Sequence, residues 1–351
     1  MTRLTLLTEI PAPYRIPSFN ALAERLDLRV VFLRERNPDR PFLLHREELH
    51  FDWTVLPGID VTAGGRWIVL NRRVVPTLRG ADAVLIGGWN QPAFWTATAW
   101  CTARHVPALF WVESTAEDAR TGRLEPAKRL ALRAAEGFVV PGTASAEYLE
   151  GLGIRRERIA IAPNAVDAAI FGAAARSRSN GPCRVVAVAR LSREKGIDVL
   201  LQAAADLPVE VVVAGAGPEE ARLRRLAGPN VTFLGNVERD ELPQVYGDAD
   251  VAVVPSRSDT WGMALNEAAL AGLPLVSSTV VGGSRDLIED GVNGFRVPPD
   301  DPAALRDALC RLVEDGEFRR AAGTRSREIA ARFTPDAWAD AVARIVDALT
   351  N

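Results

Sequence analysis

Short apolar runs recur along the chain, and nearly every one is followed by a stretch able to form a helix. In the first half they read "LTLLTE" (4–9), "LRVVFL" (28–33), "DAVLIGG" (82–88), "PALFWV" (107–112) and "GFVVPG" (137–142). The second half repeats the scheme with "RVVAVA" (184–189), "VEVVVAG" (209–215), "VTFLG" (231–235), "DVAVVPS" (250–256) and "LPLVSS" (273–278). Hydrophobicity within a run is continuous rather than alternating, as in strands covered on both faces. Such strands belong to parallel sheets with right-handed helical crossovers.

At 351 residues the chain is longer than one core usually supports. The fold class that follows is α/β, with two doubly wound, Rossmann-like domains facing across a cleft. The stretch 163–183 is small, polar and turn-rich, as a linker should be, and divides the chain into 1–165 and 166–333. A last helix over 334–349 has a Thr cap and Pro in its first turn. It has two candidate seats, including a return to the first domain, with Trp338 as a core anchor.

The formal net charge of -3 argues against a dedicated nucleic-acid binder. The first 165 residues carry about +3 and the remainder about -6, a mild basic bias compatible with an acidic ligand, an anionic membrane surface or an ordinary solvated face. Cys101, Cys183 and Cys310 match no zinc spacing and read as free thiols in a reducing compartment. The opening "MTRLTLLTEI" lacks a signal-peptide layout, and no apolar run approaches the roughly 18 to 20 residues of a spanning helix. The expected location is the cytoplasm.

Ligands of open α/β sheets bind beyond the carboxyl ends of strands. "RLSREKG" (190–196) follows the first strand of the second half and leads into a helix near Ile197. It holds Lys195, one of two lysines among 42 Lys and Arg. Arg190 offers a planar fork and Lys195 a compact charge, both near a helix N-terminus, a combination suited to a diphosphate. Farther on, "PSRSDTWGMALNEAALAGLPLVSS" (255–278) sets Asp259 and Gly262 in a loop and Glu267 on the following helix. Gly262 permits close approach, and the amides of Met263, Ala264 and Leu265 are candidates for a phosphate or sugar hydroxyl. Asp259 and Glu267 would accept from a sugar ring and a ribose diol. Taken singly, a capping Asp and a surface Glu explain those acids equally well; their combination with "RLSREKG" favours the site.

These stretches, with "PNAVD" (163–167), "VAGAGPE" (213–219) and "FLGNVERDELPQVYGDADVAVVPS" (233–256), resemble the donor-binding domain of retaining glycosyltransferase family 4, of GT-B architecture. The resemblance holds in order over about 150 residues. The family's signature is Glu-x7-Glu, and here Asp259 replaces the first acid. The resemblance implies Arg190 and Lys195 on a donor diphosphate, Glu267 on the ribose, and Asp259 with the Gly262–Leu265 backbone on the transferred sugar. Gly215 would form a tight turn beside the nucleotide, and the loop of Val237 would meet the base through its backbone. "DAD" (248–250) merely leads into a strand, so no metal or cofactor is expected; the nucleotide-sugar is the donor substrate.

In the first half, "EIPAPYRIPSFNALAERL" (9–26) occupies the place where many relatives carry a Gly-Gly loop. Prolines stiffen the turn, and Tyr14 and Arg15 are acceptor-side candidates. Aligning strand ends puts Glu113 where family members often have a sugar-contacting histidine. A Glu there would bind a hydroxyl, orient the acceptor or exchange a proton; a helix-capping role is the plain alternative. His105 lies at the opposite end of that strand. In "GGWNQPAFW" (87–95), Trp89, Asn90 and Gln91 offer a stacking face and amides to an acceptor, or else pack the core. The basic segments 66–73 and 123–133 read as solvated helix faces, with contact to anionic lipid as the other option.

The activity that the resemblance implies is sugar transfer with retention from a nucleoside-diphosphate sugar to a small-molecule, saccharide or lipid-linked acceptor, by front-side attack and without metal. A nucleotide-sugar epimerase and a non-catalytic binding partner are the alternatives.

Overall fold

The computed structural model describes residues 1–36, 46–63, 66–117, 125–172 and 181–350, the side chains of 63, 66, 125–128 and 131 excepted. Parts of two stretches singled out above, 123–124 and 173–180, lie outside the described residues.

The first half contributes β1 (Arg3–Thr8), β2 (Asp27–Phe32), β3 (Asp52–Val55), β4 (Gly58–Ala63), β5 (Arg66–Asn71), β6 (Ala83–Ile86), β7 (Ala108–Trp111), β8 (Gly137–Val140) and β9 (Ile159–Ile161). Seven of them form one sheet in the order β3-β2-β1-β6-β7-β8-β9. Every pairing in that sheet is parallel. Its helices are α1 (Ile16–Ala23), α2 (Val74–Leu78), α3 (Pro92–Arg104), α4 (Glu125–Ala134) and α5 (Thr143–Gly151).

The second half holds α6 (Ala168–Phe171), β10 (Cys183–Val188), α7 (Ile197–Ala204), β11 (Val209–Ala214), α8 (Glu220–Leu226), β12 (Val231–Gly235), α9 (Leu242–Gly247) and β13 (Val251–Val254). It continues through α10 (Met263–Leu270), β14 (Leu275–Ser278), α11 (Ser284–Leu287), β15 (Gly294–Val297), α12 (Pro302–Glu314), α13 (Gly316–Ala330) and α14 (Pro335–Thr350). The strand order is β12-β11-β10-β13-β14-β15, again parallel throughout.

Both orders reverse beside the first strand, between β1 and β6 and between β10 and β13. A reversal splits the crossovers between the two faces of a sheet and opens a crevice at the strand ends. Helices accordingly cover both faces. In the first half, α1 and α14 pack on one face through Phe19, Leu22, Trp338 and Val342. On the other, α2, α3, α4 and α5 pack through Leu78, Phe94, Leu132 and Leu149. In the second, α7 and α12 bury Leu200 and Leu309 on one side, and α10 and α13 bury Leu265 and Ile329 on the other.

Each apolar run became a strand, but five strands, β3, β4, β5, β9 and β15, lie outside those runs. β3, β9 and β15 are three or four residues long, too short to carry a periodicity. The larger difference is at 66–73, read above as a solvated helix face. Residues 66–71 form β5, paired antiparallel with β4. The spaced arginines gave a helical impression, whereas Trp67, Ile68, Val69 and Leu70 are strand formers.

The chain passes between the halves twice. Ala162 belongs to the first core, while Val166 and Phe171 belong to the second. After α13 the chain returns: Phe333 packs in the second half and Trp338 in the first. Thr334 begins α14 by accepting the Ala337 amide at its hydroxyl, 3.1 Å. Trp338 then stands 5.2 Å from Trp111 and 5.8 Å from Phe19, ring centre to ring centre. Among the described residues no helix is long and apolar enough to cross a membrane.

Candidate functional site

The crevice of the second sheet is built from three turns that lock together. Gly196 ends the turn carrying Lys195 at φ +64°, and a Cβ there would lie 2.1 Å from the Pro255 carbonyl oxygen. Only glycine fits this contact and this backbone. The Glu194 carbonyl then accepts the Arg257 amide at 2.7 Å. Arg257 adds hydrogen bonds to the Arg193 carbonyl and to Asp198, both 2.8 Å. The loop before Asp259 is thereby fastened to the turn before Lys195. The third turn, "GAG", packs on "ARL": Leu191 donates to Ala216 at 2.9 Å, and Gly215 lies so close to the Ala189 carbonyl that no side chain would fit. Gly215 is thus placed by packing between strand ends, and Val237 stands half-buried in the loop after β12.

These fastenings bring the two most informative residues together. Lys195 Nζ donates to Asp259 Oδ2 at 2.6 Å, with the side chains 25% and 16% exposed. Asp259 Oδ1 accepts the Trp261 amide at 3.3 Å. Each carboxylate oxygen keeps acceptor capacity for a ligand. Arg190 is exposed and forms no ion pair among the described residues. Burial alone would raise the Glu194 carboxyl, but the Ser192 hydroxyl, its own backbone and the charges of Lys195 and Arg190 hold it below its ordinary value.

Gly262 takes φ +86° and leaves no room for a Cβ, which would fall 2.5 Å from Val281. It opens α10 without a side-chain cap, so the first amides of the helix face outward as donors. The sequence expectation counted three. The structure corrects one: Leu265 donates to the Gly262 carbonyl at 2.8 Å. Met263 and Ala264 remain, both half-buried. Glu267, farther along α10, accepts the Tyr246 hydroxyl at 2.6 Å. Burial pushes the Glu267 carboxyl up, partly offset by Tyr246 and by the charge of Arg239. Burial and the Glu267 charge push Tyr246 well above its ordinary value. Tyr246 had no sequence signal; it is 21 positions from its partner.

On the facing side, Glu113 follows β7 and its Oε1 accepts from Arg15 at 2.7 Å. The Arg15 guanidinium carbon lies 4.1 Å from the Trp111 ring centre and 5.6 Å from Tyr14. Burial disfavours the Arg15 charge; Glu113 and Tyr14 more than restore it, so its pKa stands above the ordinary value. Asn164 approaches the same Glu113 oxygen at 3.5 Å. Tyr14, Arg15 and Glu113 thus form one group at the ends of β1 and β7.

The "GGWNQ" loop divides. Asn90 is exposed and Trp89 half-buried against the core, its carbonyl accepting the Trp95 indole at 2.9 Å. Gln91, offered above to an acceptor, is a correction: it is buried, accepts the Val69 amide at 2.9 Å and donates to the Trp67 carbonyl at 3.2 Å. Its amide is used up in holding β5. His105 ends α3 at the start of β7, away from the crevice. Asp250 of "DAD" accepts the Arg184 amide at 3.0 Å, at the beginnings of β10 and β13. Cys101 is buried, with its thiol pushed up to about 12 chiefly by that burial.

The halves touch around this cleft. Thr143, at the start of α5, donates its hydroxyl to Asp286 at 2.6 Å and its amide at 3.1 Å. Arg285 pairs with Glu147. Gly282 packs so closely that a Cβ there would lie 3.3 Å from the Thr115 side chain.

The sequence profile of the family "Glycosyl transferases group 1" matches residues 174–329. The D-inositol 3-phosphate glycosyltransferase of Corynebacterium urealyticum is 34% identical over 46% of this chain and 41% of its own. The glycogen synthase of Mycobacterium tuberculosis is 30% identical over 66% of this chain and 59% of its own. The chain thus spans about half the length of these curated relatives. Among solved structures, Anabaena Alr3699/HepE with UDP-glucose superposes with TM-score 0.74 at 19% identity, covering 99% of this chain and all of the other. A glycosyltransferase from Rickettsia africae gives 0.76 at 12%, over 99% and 98%. These likenesses give the two-domain GT-B fold. The crevice and the Gly262 turn lie in the matched segment, so residues 174–329 carry the glycosyl transferases group 1 domain.

Proposed function

We propose that the protein is a retaining glycosyltransferase using a nucleoside-diphosphate sugar, with a UDP-sugar as the first choice of donor. The observation that carries this reading is the Lys195–Asp259 pair, 2.6 Å apart, beside the open start of α10 at the reversal point of the second sheet. Cations and unpaired amides at one strand-end crevice suit a diphosphate. The structural neighbours suggest the base: HepE is described with UDP and with UDP-glucose.

In this reading Arg190, Lys195 and the Met263 and Ala264 amides receive the diphosphate. Asp259 aims the Lys195 ammonium and turns its remaining lone pairs to the sugar. Glu267 faces the ribose, Gly215 and Val237 border the nucleotide, and Tyr14, Arg15, Trp89 and Asn90 lie on the acceptor side. The acceptor oxygen bonds to the anomeric carbon on the face from which the carbon–oxygen bond to the diphosphate breaks, and its proton passes to a diphosphate oxygen. Charge developing on the leaving group falls on Lys195, Arg190 and the α10 amides, a preorganised arrangement. Glu113, fixed by Arg15, orients the acceptor hydroxyl. The 1–165 and 166–333 division then separates acceptor from donor binding.

The test is thermal stabilisation by UDP, GDP, ADP and TDP and their sugar conjugates, with Lys195→Ala alongside. A ligand at about 100 times its dissociation constant adds roughly 2.7 kcal/mol. A selective shift by one nucleotide that the variant loses supports the donor site; equal shifts in both proteins would refute it. Donor consumed without any acceptor, and converted to an isomeric sugar, would identify an epimerase instead.

A further inference from the structure

The β4–β5 hairpin uses only one face for the core. Facing residues of an antiparallel pair share a side, and successive pairs alternate. Asp60 and Val69 face inward: Asp60 accepts from Arg34 at 2.9 Å, and Val69 is buried. Asn71 joins them by donating to the Leu33 carbonyl at 2.7 Å. The alternate pairs, Ile59 with Leu70 and Val61 with Ile68, therefore face outward. Ile59 is 63% exposed and Leu70 49%, with Val61 and Ile68 half-buried. A ribbon packed on one side ordinarily turns polar side chains to water. This one turns four aliphatic ones.

The charge around this face has one sign. Arg72 and Arg73 leave the hairpin directly after β5. Both are exposed, and neither forms an ion pair among the described residues. The hairpin acid Asp60 is engaged by Arg34. The hairpin is also held to the crevice rim, since Gln91 bonds the backbone of both Trp67 and Val69.

We infer that the outward face of the β4–β5 hairpin docks on an anionic lipid surface. Aliphatic side chains enter the headgroup boundary, and arginines meet the negative leaflet. A second copy seated on the same face by two-fold symmetry would bring both sets of these arginines to one interface, adding like charge. The inference stands independently of the donor reading.

The experiment is co-sedimentation of the whole protein with vesicles of phosphatidylcholine alone and of phosphatidylcholine mixed with phosphatidylglycerol. Wild type is expected to pellet only with the anionic vesicles. Arg72→Gln with Arg73→Asn should lower partitioning about 30-fold, each arginine near such a surface contributing roughly fivefold. Asn suits the φ of +64° at position 73. Ile59→Ser with Leu70→Ser should lower it at least about tenfold, with unchanged melting temperature and nucleotide response. Absence of pelleting, or pelleting that neither pair of substitutions reduces, would overturn the proposal. So would a lipid-free dimer in sedimentation velocity that the Ser variant dissociates, which would assign the face to a second copy.

Discussion

Asn266 of α10 donates its side-chain amide to the Asn164 carbonyl at 2.9 Å, across 102 positions of chain. Its own oxygen accepts the Trp261 indole at 2.7 Å. One fully buried amide thus ties the Asp259 loop to the passage between the halves. Asn266→Ala would leave the Trp261 donor and the Asn164 acceptor unpaired, at about 1 to 3 kcal/mol each. Urea unfolding should show that loss, and the midpoint should recover with Asn266→Gln only if the longer side chain fits.

Lys195→Ala should lower turnover by about 100- to 1,000-fold, the size of effect seen on removing a preorganised donor from a transition state. Asp259→Asn keeps shape but releases the ammonium. It should raise the donor Kd about tenfold or more, since a charge-assisted bond contributes roughly 1.5 to 3 kcal/mol. Isothermal titration separates the two, and indifference to both changes would contradict the assignment.

The Glu267 carboxyl stands above its ordinary value of 4.5, chiefly from burial. The fold therefore prefers it protonated. Stability linked to this group is fully present below the unfolded pKa and is lost as pH rises through the folded one. The substitution Glu267→Gln keeps an acceptor for the Tyr246 hydroxyl without a charge to desolvate. Thermal melts of that variant should exceed wild type by a margin that grows as pH rises above the ordinary carboxyl range and through the raised wild-type pKa, while UDP binding weakens.

Gly196 and Gly153 form a matched pair at φ +64° and +86°. Ala at 153 meets open space, so its cost is the left-handed backbone alone, about 1 to 2 kcal/mol. Ala at 196 meets the Pro255 carbonyl. Gly196→Ala should lose more stability than Gly153→Ala in denaturant titration and, unlike it, abolish stabilisation by nucleotide.

Trp338→Ala removes the largest side chain between α14 and the first sheet. About 3 to 5 kcal/mol is the usual cost of such a deletion. Hydrogen exchange should speed up in α1 and β7, which Trp338 touches through Phe19 and Trp111, before it does in α7 or α12.

The doubly wound plan was legible because each buried strand of the two sheets that is long enough to carry a signal is a continuous apolar run. Lys195, Asp259 and Gly262 were legible for a related reason, since strand ends locate them and few side chains have their chemistry. Two of the pairs that hold the site were not. Arg15 meets Glu113 only because β1 and β7 both flank β6, an order the runs do not encode. Tyr246 meets Glu267 through the packing of α9 near α10. Gln91 and Leu265 were assigned to ligands because local sequence cannot tell whether an amide is already spent on a neighbouring strand or turn. The hairpin was hidden by its arginines, whose spacing imitates a polar helix.

Trp261 rests against both passages of the chain between the halves: it bonds Asn266, which holds Asn164 in the first, and its ring centre lies 6.0 Å from that of Phe333 beside the second. Two bodies joined by a single tether can tilt in any direction. Joined by two, they retain one easy rotation, about the line through both joints. Trp261 sits at that line, two residues from Asp259, so the loop facing the Lys195 ammonium lies where the lever arm is shortest. Swinging the halves apart would carry the rim of the crevice a long way while displacing the Lys195–Asp259 pair least.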